Sequence, residues 1–522
     1  MAQQDAPYFP IIYVRGYAMT QGEQDQTAAD PFCGFNVGST TYRAVADKKA
    51  PPKKFVFESP VLRLASDFGY ADVYEDGLDI LDADWAGRIS NRSVIIYRYY
   101  DQASTLLGTG ETPPIEDFAK GLSELILRVR DRVCAQAGAA LAPKDFRCYL
   151  VAHSMGGLVC RAFLQNPALG DDAARACVDK LFTYATPHNG IDVRGINVPK
   201  WLGLNDIDNF NRERMAKYLK LEALYKKTGR VDWLPESVFP SRKVFCMVGS
   251  NRSDYDAAMG LSRSFVGHGS DGLVKIDNAS VWGVNSKGEF SAPSATAFTY
   301  RSHSGPYGIV NSEEAYQNLT RFLFGDVRVD IWLDIDEVRL PPALAGNKNV
   351  DAVYQIEAMA SPRGKRWYLT RRIAAEDSVA CRSHKALAQS ASKLDRHVYL
   401  STVFLANRAR VDQSRPSLAY SLSLGVRAPD YEVEKRFWAD DHYEGGYLFR
   451  DGLIVELVPP AQAGGEWKIH YDWESDNPVK ASSSLDFKTL KSGDAKFIVP
   501  FDSGTAPGIS GQIRFLISAW NA

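Results

Sequence analysis

The stretch CYLVAHSMGGLVCRAF, Cys148 to Phe163, sets a serine between an apolar run and a helical pattern. Phe146 to Ala152 reads as a buried strand, and Met155 to Gln165 as a helix ended by Pro167. Small residues stand two positions to either side of Ser154, namely Ala152 and Gly156. That is the spacing of a nucleophile elbow, a sharp turn in which the serine backbone is strained and bulky neighbours do not fit. Ala152 occupies a position that is usually glycine, a departure of one methyl group. Serine is also a favoured helix N-cap, so its company has to decide: a base, an acid and an oxyanion donor, in a workable chain order.

A nucleophile of this kind needs a strand to carry it. From Tyr8 to about Gly325, short apolar runs alternate with longer helical patterns, which predicts an α/β unit with a mostly parallel sheet and crossover helices. The strand candidates are FPIIYVRG, SVIIYRYYD, FRCYLVAHS, KLFTYAT and RKVFCMVGS. Between the second and third, Ile115, Phe118, Leu122, Leu125, Ile126, Val129 and Val133 recur at helical spacing after Pro113-Pro114 and before Gly138. Insertions near residues 20–92 and 189–240 interrupt the pattern. The second is rich in apolar residues, among them Trp201, Phe210, Met215, Tyr218 and Leu219, and suits either a helical pair packed on the core or a mobile lid.

After Phe324-Gly325 the period changes to two, beginning with DVRVDIWLDID, where Val327, Val329, Ile331 and Leu333 share one face. Alternating segments continue to the C-terminus, and Asp451-Gly452 between two of them suggests a tight hairpin turn. The expected organisation is an α/β domain over 1–325 and an all-β, sandwich-like domain over 326–522.

With 522 residues the chain is too long for one core, and its 61 basic and 63 acidic side chains give no footprint for nucleic acid. The N-terminal MAQQDAPYFPIIYVRG shows no secretory leader, so the expected location is cytoplasmic, or outside by a route without a cleavable leader. Seven cysteines without a CxxC pair point to free thiols and to no structural zinc site.

The residues around Ser154 also carry a resemblance. AHSMGGLV is similar to the elbow of α/β-hydrolase lipases, ATPHNGI (Ala185 to Ile191) resembles the Thr-Pro-His-x-Gly segment after their next strand, and IIYVRGYAM resembles their first strand and turn, with Arg15-Gly16 in place of the usual His-Gly. The likeness covers roughly the first three-fifths of the chain and points to inositol-deacylase-like lipases and bacterial triacylglycerol lipases. It implies an α/β-hydrolase fold, with Ser154 attacking an ester carbonyl and an oxyanion hole formed by the backbone N–H groups of Met155 and Tyr17.

Hydrolases of this fold place the acid and then the base after the serine. The downstream histidines of the first domain are His188, His268 and His303. His188 lies in the segment that is structural in the resembling lipases, and His268 precedes the best acid candidate, so His303 in TYRSHSGPYGIV is the expected base. The expected acid is Asp271 in GHGSDGLVK, which resembles the Asp-Gly-x-Val segment of bacterial lipases, with Asp254 or Asp256 as alternatives if Asp271-Gly272 is only a turn.

The aspartates of YEDGLDILDADW do not have the spacing of a calcium loop and read as a solvated face. No metal or other cofactor is expected. YRYYD reads as core packing, and Asn-x-Ser/Thr matches at Asn91, Asn251, Asn278 and Asn318 carry no weight without a secretory route. Arg15, beside the oxyanion loop, could meet an anionic headgroup. The function expected is hydrolysis of carboxylic esters, of acyl lipids in particular, with contact to a lipid surface and no nucleic-acid partner. The rivals are acyl transfer or thioester hydrolysis by the same triad, and a non-catalytic binding protein that works through its β-domain, whose protein partner the sequence does not name.

Overall fold

The computed structural model describes residues 8–521 apart from 17–24, 26, 44–50, 52, 75–79, 81–84, 86, 88, 100, 102–103, 107–108, 110–112, 136–140, 194–195, 198–206, 254–268, 306, 348, 366, 390–392, 434–440, 463–464, 477–487 and 491–494. The chain divides into two compact units, one of residues 1–296 and 300–319, the other of 297–299 and 320–522.

A seven-stranded sheet runs through the first unit. Its strands are β1 (Ile11–Val14), β2 (Ala71–Asp72), β3 (Ser93–Ile96), β4 (Cys148–His153), β5 (Val178–Tyr184), β6 (Val244–Gly249) and β7 (Ala295–Thr299). They lie in the order β7-β6-β5-β4-β1-β3-β2, and each pairing from β2 across to β6 is parallel. Every residue of β1, β3, β4 and β6 is buried, as strands covered on both faces must be. That explains why their sequences are unbroken apolar runs rather than alternations.

Helix α1 (Ile115–Cys134) buries the predicted stripe from Ile115 to Val133, and Glu116 and Asp117 in its first turn complement the helix dipole. Helix α2 (Met155–Gln165) follows β4 directly and is buried throughout. Tyr97 and Tyr99 of the YRYYD stretch join the core.

Some elements, within the insertions and beyond them, were not announced by apolar periodicity. Ser39–Arg43 pairs with Lys53–Phe57 as an antiparallel hairpin, and Trp233–Pro235, Trp282–Val284 and Phe290–Pro293 form a small separate sheet. Within 189–240, helices Arg212–Tyr218 and Glu222–Thr228 are described, and Met215, Tyr218 and Leu219 are buried in the main core.

The second unit is an antiparallel sandwich. One sheet orders β11 (His397–Leu405), β8 (Val327–Arg339), β17 (Gly508–Ala519) and β16 (Ala495–Asp502). The other orders β10 (Thr370–Arg372), β9 (Val353–Pro362), β12 (Leu418–Val433), β13 (Asp441–Val458), β14 (Trp467–Trp473) and β15 (Lys488–Leu490). Alternate residues such as Val327, Val329, Ile331 and Leu333 of β8 share one buried core with Leu422, Leu424 and Val455 of the other sheet.

The hairpin expected at Asp451-Gly452 does not exist. Both residues lie inside β13 and pair with Leu424 and Ser423 of β12. Neither has the positive φ that a tight hairpin turn demands. Asp451 uses its carboxylate locally instead, accepting from the Gly452 N–H and the Ser475 hydroxyl. The inward residues Leu448, Leu453, Val455 and Leu457 stay buried on both sides of the pair, so nothing forces the chain to turn.

Among the described residues no helix is long and apolar enough to cross a membrane, and no group of three or more His, Cys, Asp or Glu side chains could hold a metal ion. The cysteines are free thiols, buried except for Cys134 and the exposed Cys381.

Candidate active site

The site is built where the sheet changes direction. From β1 the chain passes to β3 on one side, and later returns to lay β4 on the other, so the carboxyl ends of β1 and β4 flank a topological switch point, the usual place for a ligand in such sheets. Gly16 follows β1 and Ser154 follows β4.

Ser154 has φ 51° and ψ −126°, a conformation costly for any residue with a side chain. The turn is held from both sides: the Ser154 N–H donates to the Tyr184 carbonyl at 2.9 Å, and its carbonyl accepts from the Gly157 N–H at 3.1 Å. The flanking glycines are steric requirements. A Cβ at Gly156 would stand 2.1 Å from the Val14 carbonyl oxygen, and one at Gly16 would stand 2.3 Å from Ser154 Cβ. At position 152 the methyl of an alanine is accommodated, fully buried.

His303 and Asp271 meet Ser154 from two loops on the far side. His303 Nε2 lies 2.9 Å from Ser154 Oγ, and His303 Nδ1 lies 2.9 Å from Asp271 Oδ2. The other carboxylate oxygen of Asp271 accepts from the N–H groups of Leu273 at 3.0 Å and Val274 at 2.8 Å. Asp271 therefore does shape a turn, and the same turn aims its second oxygen at the imidazole. A backbone bond from the His303 N–H to the Asp271 carbonyl, 3.0 Å, locks the two loops in register.

A carboxylate can only accept, so Nδ1 carries the proton and Nε2 presents a lone pair to the serine hydroxyl. Ser154, His303 and Asp271 are 4%, 3% and 1% exposed, which keeps this hydrogen-bond chain out of bulk water. Met155 is the first residue of α2, where a backbone N–H has no acceptor within the helix and is free to point at an anion.

Tyr17, His268, Asp254 and Asp256 lie outside the described residues. His188 is fully buried, with Nε2 3.1 Å from Thr183 Oγ1 and its carbonyl held by Arg161 Nη1 at 3.0 Å. It does not approach Ser154 through any hydrogen bond. Arg15 donates from Nη1 to the Cys33 carbonyl at 2.9 Å and receives the Tyr99 hydroxyl on its own carbonyl at 2.5 Å. Both bonds fix Arg15 just after β1.

A mostly parallel sheet with Ser154 on a strained strand-to-helix turn at its centre, and Asp271 and His303 on loops that follow in that order, decides the architecture. This is the α/β-hydrolase fold. No protein-family model matches the sequence, and no curated protein matches it. Among solved structures, the chain is similar to a mature lipase of Bacillus licheniformis, at 13% identity over 62% of this chain and 95% of that one, with a TM-score of 0.31. It is also similar to the phospholipase PlaB of Legionella pneumophila, at 14% identity over 84% of this chain and 90% of that one, with a TM-score of 0.30. A third similar structure is a gene product of Listeria innocua, at 13% identity over 60% and 93% of the two chains, with a TM-score of 0.26.

Two residues of this α/β-hydrolase unit escaped sequence reasoning. Arg161 of α2 is 1% exposed and donates to Gln165 Oε1 and to the carbonyls of His188, Val231 and Trp233, tying the insertion to the elbow helix. Its place on a buried helix was legible, but its partners lie up to 72 residues away. The other is His153, whose Nε2 lies 2.9 Å from the His303 carbonyl oxygen.

Proposed function

We propose that this chain is a serine hydrolase that cleaves carboxylic ester bonds, those of acyl lipids in particular, through an acyl-enzyme on Ser154. The observation that carries the reading is the unbroken hydrogen-bond chain from Ser154 Oγ through His303 to Asp271. As substrate enters, Ser154 Oγ attacks the ester carbonyl and its proton passes to His303 Nε2. The carbonyl oxygen becomes an oxyanion held by the Met155 N–H, with the Tyr17 N–H as the proposed second donor. Collapse of the tetrahedral species breaks the C–O bond, and the alcohol leaves with the proton from His303. Water then enters, gives a proton to His303 Nε2 and attacks the acyl carbon, and a second collapse returns the proton to Ser154 Oγ. Asp271 holds the imidazole tautomer throughout and stabilises its cation.

The preference for acyl lipids rests on the resemblance of AHSMGG and ATPHNG to lipase segments and on the apolar insertion over 189–240. The test is steady-state hydrolysis of a nitrophenyl ester series from acetate to palmitate, beside release of fatty acid from phosphatidylglycerol vesicles. The proposal expects turnover that rises with chain length. Turnover confined to acetate would remove the lipid assignment, and the absence of turnover on every ester would remove the hydrolase assignment.

A further inference from the structure

We propose that His153, the residue before the nucleophile, is a positioning residue that holds the backbone of His303 over the site during the part of the cycle in which the Ser154–His303 hydrogen bond does not exist. The proposal rests on the reading of Ser154 as the nucleophile.

The geometry is specific. His303 has three polar handles besides the nitrogen that faces the serine: its N–H donates to the Asp271 carbonyl, its Nδ1–H to the Asp271 carboxylate, and its carbonyl meets His153 Nε2 at 2.9 Å. The first two tie it to the acid's loop. Only the third, among these bonds, ties it to the strand that carries the nucleophile. The two imidazole centroids are 4.9 Å apart, and both side chains are buried. On its other side, His153 borders the loop after β1, where a Cβ at Gly16 would come 3.1 Å from its Nδ1.

A carbonyl oxygen has no proton to give, so His153 must be the Nε2–H tautomer. Burial, followed by the nearby His303 and Arg15, pushes His153 well below the usual histidine range and keeps it neutral. A neutral donor suits the place, because a second cation beside His303 would oppose the imidazolium that forms there in each half-reaction.

The chemistry says when the bond matters. In the free enzyme, Ser154 Oγ itself helps to hold the imidazole. In the acyl-enzyme, Oγ is esterified and has no hydrogen to donate, yet His303 must still sit where it can deprotonate water. At that stage the His153 contact still references the base to the elbow, and a misplacement of about 1 Å can cost ~100-fold in rate. His153 therefore acts more on deacylation than on acylation.

The experiment is pre-steady-state hydrolysis of nitrophenyl acetate by the full chain, comparing wild type, His153→Leu, His153→Gln and Ser154→Ala. The expected result for His153→Leu is deacylation slowed about 10- to 100-fold with acylation changed much less, so that burst amplitude persists while kcat and KM fall together. His153→Gln, which keeps an N–H near the Nε2 position, restores most of the deacylation rate. Equal slowing of both steps, no slowing, or failure of glutamine to restore overturns the role. Activity that survives in Ser154→Ala would instead overturn the nucleophile assignment.

A readout that needs no variant to fold is the tautomeric state in 15N-histidine-labelled wild type. A neutral Nε2–H imidazole at His153 from pH 6 to about 8 is expected, since its lowered affinity for protons holds it neutral across that range. An Nδ1–H tautomer there, or a protonated ring at neutral pH, overturns the proposal.

Discussion

His303 Nε2 and Ser154 Oγ stand 2.9 Å apart although 149 residues separate them in the chain. The bond closes a site whose parts come from the end of β4, the loop after β6 and the loop after β7. If it is the reacting pair, Ser154→Ala and His303→Ala each lower kcat on a nitrophenyl ester by on the order of 10^5-fold, with far less effect on KM. Asp271→Asn leaves the geometry but favours the wrong imidazole tautomer, and is expected to cost roughly 10^3- to 10^4-fold. The three rates, measured beside wild type, check the assignment of roles.

The elbow sets a steric prediction. A methyl at Gly156 meets the backbone of β1, which cannot step aside without breaking its pairing with β4. Gly156→Ala is expected to destabilise the protein by at least ~3 kcal/mol or to yield no soluble protein. Gly446→Ala, where a Cβ finds nothing within 4 Å, stays within about 0.5 kcal/mol of wild type. Urea unfolding of both variants gives the comparison.

How much of this was legible in the sequence depends on the range of the interactions. The five core strands and helices α1 and α2 were readable because full burial turns each into an apolar run or stripe bounded by Pro and Gly. Ser154 was readable because its neighbours must be small for a local reason. The short edge strand Ala71–Asp72 and the small sheet that includes Phe290–Pro293 were not, since their partly exposed residues carry no apolar signal. Asp451-Gly452 misled because a turn-forming pair was set in a strand whose pairing with β12 continues on both sides of it. His153 stood in plain view within AHSMGG, but its partner is a backbone carbonyl 150 residues away, and no side-chain pattern records such a bond.

Arg161 carries a second stability prediction. Burial brings its guanidinium down to about 10, still charged at neutral pH, and its charge is met mainly by carbonyl oxygens. Arg161→Met leaves those oxygens buried without a donor, at a cost of roughly 3 kcal/mol or more. Lysine cannot present the same fork and is expected to recover less than half of it. Thermal melts of the two variants decide the matter.

Stability should also fall on the acid side. His153 and His188 are both held well below the ordinary histidine range, first by burial, so the folded protein keeps them neutral while the unfolded chain protonates them. The unfolded state then binds more protons, and stability drops as pH falls below about 6.5, by up to ~1.4 kcal/mol per pH unit for each group. His188→Gln removes one of the two contributions. Unfolding free energies at pH 7, 6 and 5 should show a shallower slope in that variant than in wild type.

The central claim is that Ser154 is a nucleophile rather than a helix cap, and the most direct measurement is covalent. After treatment with a fluorophosphonate, intact mass and peptide mapping should show one phosphonyl group on Ser154, absent from Ser154→Ala and formed far more slowly in His303→Ala. Wild-type protein that stays unmodified, or a label that maps to another residue, would contradict the account.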